Sequence, residues 1–249
     1  MDDLHFQTLI LSSFLSYNYL EQSNTNTYTN TNTNTNSPKT SQAASSSNQA
    51  ESADMPVTER VILPVKGGVD DWKEALKFML QTLKTQDGYV RTRWGPHSED
   101  QQKLELLIGW ETVSAQEKFQ ASPAYQEMQS HVKPVLTGPP SVYFIEFKPY
   151  APKEVIDAHF VEMITIEQGS QSEDDLRAAV SKFKDVEGCT GVASGLSLED
   201  VDGKGKLFVA AVGWDGLDES AKGNATTSIS GAETHHVNFR FPIKGFRGL

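Results

Sequence analysis

Cysteine is almost absent: the 249 residues contain one, Cys189. A single thiol excludes an intrachain disulfide and fits a reducing compartment, so a cytoplasmic protein is expected. Basic residues are in deficit, 22 against 33 acidic, for a formal net charge of −11. A surface of that sign repels phosphate backbones and argues against a nucleic-acid partner. Long apolar runs are missing too. The Phe6–Tyr19 stretch is too short and too interrupted to span a membrane, and no membrane partner is expected. It follows Asp2 and Asp3, where a secretory signal carries positive charge, and no arginine precedes Arg60. Neither a secretory leader nor a mitochondrial transit peptide reads that way.

What is present divides in two. Residues 1–54 hold an Asn/Thr alternation over 23–37 and then a Ser/Ala/Gln-rich stretch. Such a tract buries too little apolar area to offset its ordering entropy, so a disordered, dispensable tail is expected, with Met55 as an alternative start. From Met55 on, the pattern is regular. A β-rich run, Val57–Val65, precedes a helical face made by Trp72, Ala75, Leu76, Met79, Leu80 and Leu83. Tyr89–Trp94 and Leu104–Trp110 read as strands. Ser114 and Glu117 form a capping-box pattern for a second helix, broken near Ser122-Pro123. Val142–Phe147 is a fourth strand, and the order β-α-β-β-α-β is that of a ferredoxin-like unit.

The order then repeats. Trp72-Ala75-Leu76-Met79 and Leu176-Ala179-Val180-Phe183 lie 104 positions apart, as do Ile108-Gly109-Trp110-Glu111 and Val212-Gly213-Trp214-Asp215. A helical face and a strand motif sharing one offset indicate an internal duplication. The second half is expected to run His159–Glu167, a helix, Val192–Leu198, Leu207–Trp214 and His236–Phe241. Its second helix, at 218–233, contains Gly223, Asn224, Thr226 and Gly231 and reads as lost or badly shortened. Strand Leu207–Trp214 is apolar on both faces, so both are buried. Two sheets packing their bare faces together solve this: an α+β fold of two tandem ferredoxin-like repeats, 55–150 and 151–249, closed into one barrel with helices outside.

The strings Gly109-Trp110-Glu111-Thr112, Ser114, Glu117, Phe119, Ser122-Pro123 and Tyr125 resemble the strand-to-helix segment of the dimeric α+β barrel superfamily, which includes the antibiotic-biosynthesis-monooxygenase-like domains. The resemblance spans about residues 55–249 and implies a fused pseudo-dimer, with further homo-oligomer formation open. Relatives include cofactor-free oxygenases, haem-degrading enzymes and polyketide cyclases. The haem-degrading pattern is not matched: Phe119 stands where a Trp is expected, Gln129 stands where the ligand His is expected with His131 two residues on, and Val57–Val65 has no Asn. The cyclase His–Tyr pair is replaced by Tyr125 and Phe119. No cofactor is expected.

The candidate site lies in the second half. Alternation in His235–Phe241 puts His235, Val237, Phe239 and Phe241 on one face and His236, Asn238 and Arg240 on the other. The polar row either walls a pocket inside the barrel or faces solvent along an edge. The first strand of the repeat lies beside the last, so His159 would approach His236 and share its acid–base role near neutral pH. Trp110 and Trp214 either line a pocket or repeat one packing role. Arg91 and Arg93, with Tyr143, would meet an anionic substrate unless their face is solvated. Metal binding is not expected: two histidines lack a third ligand at recognisable spacing, and Cys189 stands outside any motif. Asp202-Gly203-Lys204-Gly205 is a hairpin turn, and the Asn224 sequon is idle without a leader. Three readings remain: a protein holding a small apolar or aromatic molecule in the barrel; a cofactor-free oxygenase or cyclase using His236 and His159, with 218–233 as a lid; or a structural, oligomer-forming chain.

Overall fold

The computed structural model describes residues 55–226 and 229–246; the expected tail lies outside them. The first repeat runs β1 (Val57–Pro64), α1 (Val69–Leu83), β2 (Tyr89–Pro96), β3 (Lys103–Trp110), α2 (Val113–Gln120), α3 (Pro123–Val132) and β4 (Ser141–Ile145). A short helix, α4 (Lys153–Ile156), sits in the connection. The second repeat runs β5 (Phe160–Glu167), α5 (Glu173–Ser181), β6 (Cys189–Leu196), β7 (Leu207–Trp214), α6 (Leu217–Thr226) and β8 (Glu233–Val237). The sheets have orders β2-β3-β1-β4 and β6-β7-β5-β8, antiparallel throughout. This is the tandem ferredoxin-like architecture that the offset predicts.

Local chemistry explains the element ends. Helix α1 opens at Gly68, whose N–H donates to the Asp71 carboxylate at 2.8 Å, and it buries Trp72, Leu76, Met79, Leu80 and Leu83 against its sheet. Helix α2 is capped by Thr112 rather than by the Ser114 pattern: the Thr112 backbone is extended and its hydroxyl accepts from the Ala115 N–H at 3.1 Å. Ser122 caps α3, with Pro123 in its first turn. The second helix expected to be lost or badly shortened at 218–233 is present as a ten-residue helix, α6, followed by a return to β8. Gly223 is there for closeness: a Cβ would press into the Trp214 ring, so glycine lets α6 lie against the sheet.

Alternation sorts each sheet into two faces. On the outer face of the first, Val57, Val61, Leu63, Leu104, Leu106, Ile108 and Trp110 pack under α1 to α3. On the second, Ile164, Ile166, Phe208, Ala210, Val212 and Trp214 pack under α5. The inner faces meet each other through Tyr143, Ile145, Met163, Val209, Ala211 and Val237, with Leu107 against them.

Two seams close the barrel. At one, Ser98 donates to the His236 carbonyl at 2.8 Å, beside a His97–Val237 bridge. At the other, Leu198 donates to the Phe144 carbonyl at 3.0 Å, beside an Ile145–Ser197 bridge. Gly95 and Gly195 mark the two crossings: a Cβ at either would fall on the backbone carbonyl of Asn238 or Glu146. These crossings also correct the last strand. Pairing of Glu233–Val237 with Thr165–Val161 ends at Val237, because the chain then leaves β5 to bond Pro96 across the seam and turns at 238–241.

Candidate functional site

Inward alternation on an apolar strand should leave no carboxylate, yet each repeat buries one on its helix-facing side. In the second repeat it is Glu162 of β5, fully buried opposite Val212 and His236. Three donors hold it: Trp214 Nε1 at 2.9 Å, Ser220 Oγ at 2.9 Å and Asn224 Nδ2 at 2.8 Å. Ser220 Oγ also lies 2.7 Å from His236 Nε2, and His236 Nδ1 lies 2.6 Å from a Glu99 carboxylate oxygen. The His236 backbone N–H donates to the same carboxylate at 3.0 Å. Glu99 comes from the β2–β3 loop of the first repeat, so the row needs both repeats. Burial pushes Glu99 up, but the bonds from His236 outweigh it and hold the carboxyl below its usual range.

The first repeat carries the same frame without the histidine. Glu59 of β1 accepts from Trp110 Nε1 at 2.8 Å and Gln116 Nε2 at 3.0 Å. Its neighbour on β4 is Phe144, where Glu162 has His236. Burial pushes the Glu59 carboxyl up to about 7 against those two donors.

A third cluster fills the barrel interior. Arg60 on β1 donates through Nε to Glu105 Oε1 at 2.8 Å and through Nη1 to Thr165 Oγ1 at 3.0 Å and to the Tyr143 hydroxyl. Glu105 Oε2 lies 2.6 Å from His235 Nε2 and 3.1 Å from His97 Nε2. Burial would raise Glu105, but the Arg60 guanidinium and the two imidazoles hold it well below the usual range. Burial lowers His235. This cluster is a polar latch between repeats.

Among the described residues, His97, Glu105 and His235 are the group of three that could surround a metal. They fit one poorly. A bound ion lies in the plane of each imidazole that ligates it. These two rings are stacked, 3.9 Å apart and 18° from parallel, so their lone pairs run side by side. Arg60 Nη2, 3.5 Å from His235 Nε2, adds a positive charge at the same place.

The expected site residues therefore divide. Trp214 bonds Glu162 directly, and His236 reaches it through Ser220. Trp110 is the equivalent donor to Glu59, and Tyr143 belongs to the latch rather than to Arg91 and Arg93. His236 points outward under α6, not into the barrel; the inward histidine is His235. His159 does not reach His236: it precedes β5, is exposed and stacks on Phe160 with centroids 5.2 Å apart. It shares an open groove of about 430 Å3 with Arg240, Asp157 and Asp215. Arg240 bonds the Asp157 carbonyl, and Asn238 Oδ1 accepts from the Arg240 N–H at 3.0 Å in a turn. Arg93 is tied to Asp157 at 3.3 Å, and Arg91 lies over the Tyr150 ring at 5.2 Å. The hollow between the sheets beside Thr58, Leu107, Gly109 and Ala211 is about 30 Å3. That is room for about one water.

The residues missed were Glu59, Glu162, Glu99, Ser220, Asn224 and the Arg60–Glu105–His97 latch. A signal existed for two: Glu59 and Glu162 interrupt apolar strand faces at nearly the offset that relates Trp110 to Trp214.

Solved structures of similar shape share the fold. An anthrone oxidase-like protein superposes with a TM-score of 0.56 at 9% identity, covering 74% of this chain and 91% of that one. A candidate monooxygenase from Fusobacterium nucleatum gives 0.53 at 11% identity, covering 74% and 92%. Another from Lactobacillus acidophilus gives 0.50 at 12% identity, covering 74% and 93%. The chain, two ferredoxin-like repeats in tandem, shares the fold of these three proteins. No family model matches the sequence, and no curated protein matches it. Among the described residues, no helix is long and apolar enough to cross a membrane.

Proposed function

We propose that this protein binds a small apolar or aromatic molecule against the helix side of the second sheet and exchanges a proton with it through His236. The observation that carries this is the position of His236. Its imidazole is held at both ring nitrogens, between a half-exposed carboxylate, Glu99, and a buried hydroxyl, Ser220. Displacement of the Glu99 side chain bares Nδ1, and α6, half the length of the paired α2–α3 unit, is the lid. The barrel interior, filled by the latch and apolar side chains, is not the container in this reading.

General acid–base chemistry at an imidazole suits removal of a proton from a C–H or phenolic acid, whose anion then reacts with dioxygen or cyclises. The likeness to an anthrone oxidase-like protein suggests the probe. Oxidation of an anthrone converts CH2 and O2 into C=O and H2O. Oxygen uptake with an anthrone is the test. Uptake lowered by about 100-fold in His236→Phe supports the reading. Equal uptake in that variant, or none in the wild type with any hydroxyaromatic probe, overturns it.

A further inference from the structure

Hydrogen-bond bookkeeping at Ser220 leads one step further. The hydroxyl has one proton, and it stands 2.9 Å from Glu162 Oε2 and 2.7 Å from His236 Nε2. When Ser220 donates to Glu162, its oxygen accepts from His236, so Nε2 carries a proton. Glu99, an ionised carboxylate, takes a second proton's bond from Nδ1. His236 is then an imidazolium and Glu162 a carboxylate. In the alternative, Glu162 is a carboxylic acid donating to Ser220, Ser220 donates to Nε2, and His236 is neutral with its proton on Nδ1. Both arrangements satisfy every donor and contain the same number of protons.

We infer that Glu99, His236, Ser220 and Glu162 form a proton relay from the surface to a buried carboxylate, with Glu162 as the reservoir. In one pass the Nε2 proton moves to Ser220 Oγ while the Ser220 proton moves to Glu162 Oε2. No bond to carbon changes and no oxidant is needed. Exposure falls along the row: the Glu99 side chain is 50% exposed, that of His236 16%, and Ser220 and Glu162 are fully buried. His236 Nε2 and Glu162 are 4.0 Å apart, too far for direct transfer, so the hydroxyl is required. Trp214 and Asn224 donate to Glu162 in either state and keep it in place. Among the described residues, the half-buried Cys189 thiol on β6 also feels the Glu162 charge; burial pushes it up and it stays protonated. With Glu99 swung away and Glu162 ionised, a neutral His236 that carries its proton on Nε2 takes a substrate proton at Nδ1 and passes the Nε2 proton through Ser220 to Glu162, so the ring is neutral again before product leaves. In that use the relay rests on the acid–base role proposed above.

Glu59 supplies an internal control, because it has the same Trp donor and no histidine. The experiment is an infrared pH jump on the full chain, following the carboxylic-acid carbonyl band of each residue. The bands are assigned by their loss in Glu162→Gln and Glu59→Gln. Ser220→Ala and His236→Phe are expected to slow the Glu162 band by about tenfold or more, as loss of one hydrogen-bonded step does, and to leave the Glu59 band unchanged. Ser220→Thr, which keeps the hydroxyl, is expected to restore the rate. An unchanged Glu162 rate in Ser220→Ala, or no band that Glu162→Gln removes, overturns the relay. Oxygen uptake measured on the same variants separates the two ideas. A relay present without turnover of any probe rejects the catalytic reading alone, whereas turnover that needs His236 but not Ser220 rejects the relay alone.

Discussion

The two repeats place a glutamate at one position of one strand and treat it in opposite ways. Glu59 and Glu162 each accept from the tryptophan that ends the third strand of their repeat, and each accepts from the helix that follows it. They differ in the helix donor, Gln116 against Ser220, and in the neighbour on the fourth strand. Phe144 walls Glu59 in beneath α2 and α3, while His236 connects Glu162 to Glu99 at the surface. A duplicated scaffold thus carries one carboxyl walled in and one joined by hydrogen bonds through Ser220 and His236 to a half-exposed carboxylate.

The largest effect is expected at the latch that ties the repeats together. Arg60→Ala leaves Glu105 fully buried without its guanidinium, which costs about 3–5 kcal/mol in denaturant unfolding. A loss under about 1 kcal/mol would show that the two histidines alone satisfy Glu105.

Next is the sealed carboxyl. Glu59 keeps its proton up to about 7, whereas in the unfolded chain it loses it near 4.5. Its contribution is therefore fully present below 4.5 and is lost as pH rises through about 7. The separation corresponds to about 3 kcal/mol. Glu59→Gln should flatten this part of the pH–stability curve. Glu105, on the other face of the same sheet, has the opposite sign: its folded-state value is depressed, so its contribution is lost as pH falls below the usual carboxylate value. A curve that instead rises from pH 4.5 to 7 in the wild type and is unaffected by Glu59→Gln would remove the sealed half of the comparison.

Closure should be similarly sensitive at both seams. Gly95→Ala and Gly195→Ala each drive a methyl into a carbonyl of the other repeat and should lower stability by about 1–3 kcal/mol. Tolerance at one seam only would mean that the barrel is held mainly by the other.

The smallest difference is expected between the tryptophans. Trp110→Phe leaves Glu59 with one donor, Gln116, while Trp214→Phe leaves Glu162 with two, Ser220 and Asn224. Both should cost about 1–3 kcal/mol, with Trp110→Phe the worse. Equal losses would show that the cost is packing of the indole ring rather than the hydrogen bond.

The barrel was legible in the sequence because apolar alternation and the 104-residue offset are local, repeated signals. His236 and Trp214 were legible as residues, but the face of His236 was not. Alternation says which side chains share a face and leaves open whether that face meets a helix or the other sheet. The crossing at Gly95 and Asn238 settles it, and that contact joins residues more than 140 positions apart. His159 failed for a related reason: β5 begins one residue after it, at Phe160. Glu99 and Ser220 stood in a polar loop and a glycine-containing helix with nothing local to mark them. Only the seam brings the loop of one repeat to the last strand of the other.

The most direct test of the contrast follows the carboxyl signals of Glu59 and Glu162 by carbon NMR across pH, in the full chain and in His236→Phe. The account predicts a Glu59 signal with a midpoint of about 7 that ignores the substitution, and a Glu162 signal that changes with it. Two signals that respond alike, or a Glu59 midpoint near 4.5, would contradict it.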